Sequence, residues 1–382
     1  MAAPETVMAA AAADGAAAAD VDAPRVRQID RIVSDFLHFL KERRPSSDGP
    51  SSEIAIRAVE AMRDVLSQVR WQTASELIET IELAGVRLKT GLPSEDVVNN
   101  MVRRVVRLVR EAYGECMDEV GDVSALKSTG PFMSEAASLH GLLLSGAGGE
   151  GGDSGMAVQF KELKQKVITL INDELDDLKD GTFNIAQVAL DHIHSDEVIM
   201  TAGHSTSVEQ FLKVAAAKRT FQVFVAESAP SYRGQDMVLR LSRAGIETTL
   251  ITDSAIFAVM SRVNKVIIGT HLVMADGGLM AQTGCHALAL AAKHHSVPVL
   301  VCAAMFKLCP KYPCAYSVEM YNHMHDPSEI VPYSKAKVVG DASIVHPLYD
   351  YVPPDLVSLF ISNIGANAPS YIYRLLNEYY DE

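Results

Sequence analysis

The sequence predicts a mixed α/β chain: an all-helical N-terminal domain followed by a doubly wound, mainly parallel Rossmann-like sheet domain. Three observations carry that expectation. Apolar residues recur at helical spacing from about Arg25 to Gly181. From about Asn184 onward they gather instead into short β-branched runs separated by amphipathic stretches, the pattern of alternating buried strands and crossover helices. A length of 382 residues accommodates two domains with sizeable cores. The expected division is a disordered tail over 1–24, a helical domain over 25–183 and the sheet domain over 184–382.

The tail is alanine-rich with acidic punctuation, and it lacks both the basic start and the apolar segment of a secretion signal. Ile29, Ile32, Val33, Phe36, Leu37 and Leu40 then mark a helix of about four turns. Ser52 to Val69 repeats the period, and Thr73 with Glu76 has capping-box spacing ahead of Leu77, Ile78 and Ile81. Pro93 and Ser94 introduce a long helix whose Val98, Met101, Val102, Val105, Val106 and Val109 share one face. The stretch over about 128–155, ending in GAGGEGGDSG, is too rich in Gly and Ser to pack regularly and reads as a flexible insertion. Helical spacing resumes at Leu163, Val167, Leu170, Ile171, Leu175 and Leu178, with Gly181 where a C-cap would stand.

In the second half EVIMTAG, FQVFVAE, ETTLIT, KVIIG and PVLVCAA are candidate buried strands. SVEQFLKVAAAKR, GQDMVLRLSRAG, SAIFAVMSRV and CHALALAAKHH have the length of crossover helices between them. Ligands of such sheets bind at the carboxyl ends of the strands, so the loops after Thr201, Ala226, Thr252 and Gly269 are the places to look for chemistry.

Bulk properties exclude several functions. A formal charge of −14 opposes binding to a phosphate backbone, which is held by clustered Lys and Arg. No apolar run approaches the roughly 20 residues that cross a bilayer. Five scattered cysteines, Cys116, Cys285, Cys302, Cys309 and Cys314, form no disulfide framework, and a reducing cytosol is expected.

The candidate chemistry is sparse. Where a dinucleotide fingerprint would stand, the chain reads AGHSTS at 202–207, so a nicotinamide enzyme is not expected. Ser205 either receives a phosphate at a helix N-terminus or simply caps that helix, and capping is favoured. ADGGLMAQTG at 275–284 offers a second Gly-rich loop before a helix, but Asp276 and Gln282 bring no positive charge, so a structural turn is favoured. The pairs His192/His194, His294/His295 and His323/His325 lack structural-zinc spacing with Cys309 and Cys314, and no metal site is expected. Arg103, Arg104, Arg107 and Arg110 form the densest basic cluster, read either as a solvated face or as a partner-docking stripe for acidic or phosphorylated protein. The C-terminal YVPPDLVSLFISNIGANAPSYIYRLL is too apolar and aromatic for an exposed end, and burial against a sister subunit is favoured over burial against the domain.

Three long blocks are more specific than any of these motifs. GIETTLITDSAIFAVMSRV, NKVIIGTHLVMADGGLMAQTGCHALALAAKHHSVPVLVCAAMFKL and DYVPPDLVSLFISNIGANAPSYIYRLL closely resemble the family of regulatory subunits of eukaryotic translation initiation factor 2B. The likeness runs from about Asp30 to the C-terminus apart from the Gly-rich insertion. That family is similar in fold to the methylthioribose-phosphate and ribose-bisphosphate isomerases, which work with a cysteine after the first strand and an aspartate after the fourth. Their first-strand ending T-H-C-N matches Thr201, Ala202, Gly203, His204, and their fourth-strand ending G-A-D matches Gly269, Thr270, His271. The resemblance therefore places glycine at the thiol position and histidine at the acid position, and neither replaces the acid–base pair that isomerisation needs. It implies a vestigial pocket of Gly203, His204, Ser205, His271, Asp276 and Gln282, with no catalytic residue and no cofactor.

The resemblance further implies a non-catalytic regulatory subunit of the guanine-nucleotide exchange factor for initiation factor 2. Alpha and delta subunits would share its core, with gamma and epsilon subunits in the same assembly and the exchange step residing outside this chain. Through that core it would bind the alpha subunit of initiation factor 2 and sense its phosphorylation, with no direct nucleic-acid or membrane contact. The alternatives are an active sugar-phosphate isomerase with an altered site, and a sugar-phosphate or nucleotide sensor that uses the ancestral pocket.

Overall fold

A computed structural model describes residues 26–40, 51–69, 71, 73–91, 95–125, 153–313, 324–335, 340 and 342–380. The expected tail over 1–24, most of the Gly/Ser-rich insertion, Pro93, Ser94, Cys314 and His323 lie outside the described residues. The chain folds as two compact units, the first taking in Glu53–Asp176 and the second Asp177–Glu382.

The first unit is helical. Residues 26–40 form α1, followed by α2 (Ser51–Gln68), α3 (Ala74–Gly91), α4 (Asp96–Ala125) and α5 (Asp153–Gln187), whose last turns belong to the second unit. The periodic residues face the core as expected: Ile29, Val65, Leu66, Leu77, Ile81, Met101, Val105, Val109, Val167 and Ile171 are buried. Burial of such side chains is worth roughly 1.5–3 kcal/mol each, which is what turns amphipathic helices into a bundle. Thr73 Oγ1 accepts the Glu76 N–H at 3.2 Å, the N-cap bond of the expected capping box. Helices α3 and α4 approach so closely that a Cβ on Gly85 would lie 2.6 Å from Val102.

Gly181 does not end its helix. α5 continues through it to Gln187, because Ile185 and Ala186 carry the apolar stripe of Leu178 onward into the core. The short α6 (Ala189–His192) follows.

The second unit holds a seven-stranded sheet in the order β10-β9-β7-β4-β1-β2-β3. Its strands are β1 (Val198–Ala202), β2 (Gln222–Ala226), β3 (Glu247–Ile251), β4 (Lys265–Gly269), β7 (Val299–Cys302), β9 (Leu359–Ser362) and β10 (Gly365–Asn367). Every pairing is parallel except β10 with β9. The crossovers carry α7 (Thr206–Ala216), α8 (Arg233–Arg243), α9 (Ile256–Met260) and α10 (Cys285–His294). All five strands expected from the β-branched runs are present.

Three expectations need correction. β3 lies at the sheet edge and is half exposed, since the polar ETT start leaves little to bury. The stretch 275–284 is not one loop: β5 (Leu272–Val273), β6 (Leu279–Gln282) and β8 (Tyr349–Val352) make a separate antiparallel sheet in the order β5-β6-β8. The C-terminal block is consumed by its own domain, with Val352, Leu356, Phe360, Ile361, Leu376 and Tyr380 buried and α11 (Ile372–Tyr379) closing the chain. Sister-subunit burial is therefore not needed to explain its apolar character.

Candidate functional site at the carboxyl edge of the sheet

The strand order reverses at β1 and β4, whose carboxyl ends form the crevice where such sheets take ligands. In this chain two side chains of the protein stand against those strand ends. Gly203, just past β1, adopts φ +60, and a side chain begun there would put its Cβ 2.2 Å from Gln282 Oε1 and 3.2 Å from Ser228 Oγ. Gly269, at the end of β4, is covered in the same way, since a Cβ would lie 2.3 Å from Ser205 Oγ.

The small sheet supplies the cover. Gln282 pairs with Tyr349 across β6 and β8, so one rung of that sheet places an amide on Gly203 and a phenol ring beside His271. The His271 and Tyr349 rings stack at 4.4 Å with 17° between their planes, and the His271 backbone N–H donates to Met280 O at 3.0 Å. Thr270, the residue before it, is buried and donates its hydroxyl to Leu272 O at 2.7 Å. Its carbonyl accepts Lys307 Nζ at 2.7 Å. Burial brings the Lys307 pKa down to about 8, an effect that neighbouring Cys302 opposes.

His204 bonds a residue of α7. Its Nε2 lies 3.0 Å from Oε2 of buried Glu209, which also accepts Lys213 Nζ at 2.5 Å and has Arg240 Nη1 at 3.5 Å. Burial pushes the Glu209 carboxyl up, but the Lys213 and His204 hydrogen bonds and the charges of Lys213 and Arg240 outweigh it and hold the pKa below the ordinary value.

Ser205 occupies the N-cap of α7, yet its hydroxyl makes no capping bond and rests against Gly269. Its carbonyl accepts the Glu209 N–H at 2.8 Å. The favoured capping role is thus met by position and backbone only.

Asp276 sits at the tip of the β5–β6 hairpin. Its carboxylate accepts the Gly278 N–H at 2.8 Å and the Tyr351 hydroxyl, which folds the tip into a turn. Burial, then that hydrogen bond, raises the Tyr351 pKa.

No activated thiol is found among the described residues near the strand ends. Cys285 and Cys302 are buried and pushed up to about 12, Cys285 first by burial and then by Asp350 and Asp253. A thiol held so far above neutrality is a poor nucleophile.

The arginines of the stripe differ in setting. Arg104 Nε bonds Glu174 Oε2 at 2.8 Å, and Glu174 is 5% exposed, so Arg104 ties α4 to α5. Arg107 Nε reaches Glu111 Oε1 at 2.6 Å, one turn along α4, while Arg103 is exposed and Arg110 half-buried.

The histidine pairs also part company. The ring of His192 stacks on Phe211, and His194 Nδ1 lies 2.8 Å from Arg219 Nη1. His294 and His295 each tilt against Phe257. Of the paired histidines among the described residues, His325 alone meets a set of potential ligands: it converges with Glu329 and His346, their donor atoms within 4.8 Å of one another. Ligand spacing along the sequence could not reveal this, because His346 comes from a separate segment.

Comparison with known proteins decides the family. A model of the initiation factor 2 subunit family matches residues 48–369. The chain belongs to this family. Its membership agrees with the likeness to translation initiation factor eIF2B subunit beta of Dictyostelium discoideum, 41% identical over 355 residues that cover 87% of this chain and 91% of the other. Among solved structures the family fold recurs in eIF2B beta from Chaetomium thermophilum, with TM-score 0.69 and 25% identity over 93% of each chain. A chain of the tetrameric eIF2B-beta2-delta2 complex from C. thermophilum gives TM-score 0.67 at 24% identity, covering 94% of this chain and 98% of that one. The expected fold kinship also holds: 5-methylthioribose 1-phosphate isomerase from Pyrococcus horikoshii OT3 aligns with TM-score 0.55 at 15% identity, over 92% and 87% of the two chains.

Proposed function

We propose that this member of the initiation factor 2 subunit family is a beta-type, non-catalytic regulatory subunit of the exchange factor for initiation factor 2. It joins alpha and delta subunits in a core, in one assembly with gamma and epsilon subunits. That core contacts the alpha subunit of initiation factor 2 in the cytosol and responds to its phosphorylation, and guanine-nucleotide exchange is carried out by other subunits. The likeness to a protein named eIF2B subunit beta supports the subunit type. The observation that carries the absence of isomerase chemistry is Gly203 itself, where Gln282 Oε1 stands in the place a side chain would begin.

A general acid or base must come within hydrogen-bond reach of the proton it moves. Here His204 bonds Glu209 and Asp276 accepts the Tyr351 hydroxyl, while the His271 ring stacks on Tyr349. The test is incubation of the purified chain with methylthioribose-1-phosphate and with ribose-1,5-bisphosphate. No ketose above the uncatalysed background is expected, and turnover abolished by His271→Ala would overturn the reading.

A further inference from the structure

The connection from β7 to β9 carries a cluster that the subunit reading does not use. Residues Met324 and Pro347 form an isolated antiparallel bridge, and the His325 backbone N–H donates to His346 O at 2.8 Å. This pairing sets two imidazoles side by side, ring centroids 5.3 Å apart in an edge-to-face arrangement. Glu329 stands four residues beyond His325, at the end of the 3₁₀ turn Pro327–Glu329, and its Oε1 comes 2.9 Å from His325 Nδ1.

We propose that His325, Glu329 and His346 form a zinc site with water at the fourth position, clamping the two arms of this connection. The donor atoms of all three lie within 4.8 Å of one another. A tetrahedral zinc with bonds of about 2.0–2.1 Å holds its donors roughly 3.3 Å apart, so small side-chain rotations close the set. Two imidazoles and one carboxylate make a donor set suited to zinc, with charge left to polarise the water.

Two details point to a metal rather than to an ordinary ion pair. His325 Nδ1 is buried and makes no hydrogen bond, its approach to Glu329 being misaligned for one. A buried polar nitrogen in that state is costly unless a ligand satisfies it. His346 is 8% exposed, and its Nδ1 lies 3.2 Å from Asp326 O. A carbonyl only accepts, so Nδ1 carries the hydrogen and Nε2 keeps the lone pair, the tautomer a metal needs. The Asp326 backbone is in turn fixed because its carboxylate caps the 3₁₀ turn through the Ser328 N–H at 2.9 Å and accepts the Tyr333 hydroxyl at 2.9 Å.

The experiment uses the purified full chain, stripped with a chelator and titrated with cobalt(II) and then zinc. Wild type is expected to take up one equivalent, with visible cobalt bands of a nitrogen–oxygen site, no thiolate charge-transfer band, displacement by zinc and a rise in melting temperature on zinc addition. Glu329→Gln and the double variant His325→Ala/Glu329→Gln should weaken binding at least tenfold and remove the thermal rise, while circular dichroism stays native because both side chains are partly exposed. Absence of a stoichiometric site in wild type, a cobalt spectrum dominated by thiolate, or unchanged affinity in the double variant would each overturn the proposal.

Discussion

At Gly203 two restraints act on one atom. The backbone is left-handed, which penalises any side chain by roughly 1–3 kcal/mol, and Gln282 Oε1 occupies the place of the Cβ. Gly203→Cys therefore does not rebuild a thiol enzyme. Its denaturant midpoint should fall by an amount worth about 1–3 kcal/mol, and a midpoint at or above wild type would show that the amide cover is loose. Lys307 gives the residue scale a pH signature. Its folded pKa, near 8, lies below the ordinary 10.5, so between those values the unfolded chain binds more protons and stability rises with pH. Lys307→Met should lack that alkaline rise, and unfolding curves at pH 8 and pH 10 in wild type and variant measure the difference; equal slopes would mean that Lys307 is not desolvated. The sequence placed Gly203, His271 and Gln282 in one pocket, but Ser228, Tyr349 and Lys307 come from three further stretches, and no period or spacing joins them to it.

Elements were easier to read where one period runs long enough to be unambiguous. Five of the parallel strands were legible as β-branched runs; β1, β2, β4 and β7 read so because a strand covered on both faces tolerates no polar alternation, and they are buried as that argument requires. The small sheet escaped because β5 spans only Leu272–Val273 and β8 carries the mixed sequence YDYV, too short and too polar to stand out. Gly181 misled for a different reason: glycine is a strong local stop signal, but the apolar stripe overrode it. Among the described residues nothing lies within 4 Å of a Cβ placed there. Gly181→Ala should accordingly stabilise the chain by about 0.5–1 kcal/mol in thermal or denaturant unfolding, the ordinary gain for replacing glycine inside a helix. Destabilisation would return Gly181 to the role of a left-handed cap.

At the scale of the whole molecule, Gln282 and Ser205 stand against the strand ends, Cys285 and Cys302 near them are buried, and a formal charge of −14 opposes binding to a phosphate backbone. Among the described residues no helix is long and apolar enough to cross a membrane. Exposed apolar side chains remain at Phe257 and Leu290, and within the C-terminal block at Ile364 and Tyr373, although its Val352, Leu356, Phe360, Ile361 and Leu376 are buried in its own domain. The native mass spectrum of the tagged full chain recovered from cytosol tests the account most directly. A hetero-oligomer containing alpha- and delta-type sister subunits is predicted, and a lone monomer that turns over a sugar phosphate would contradict it.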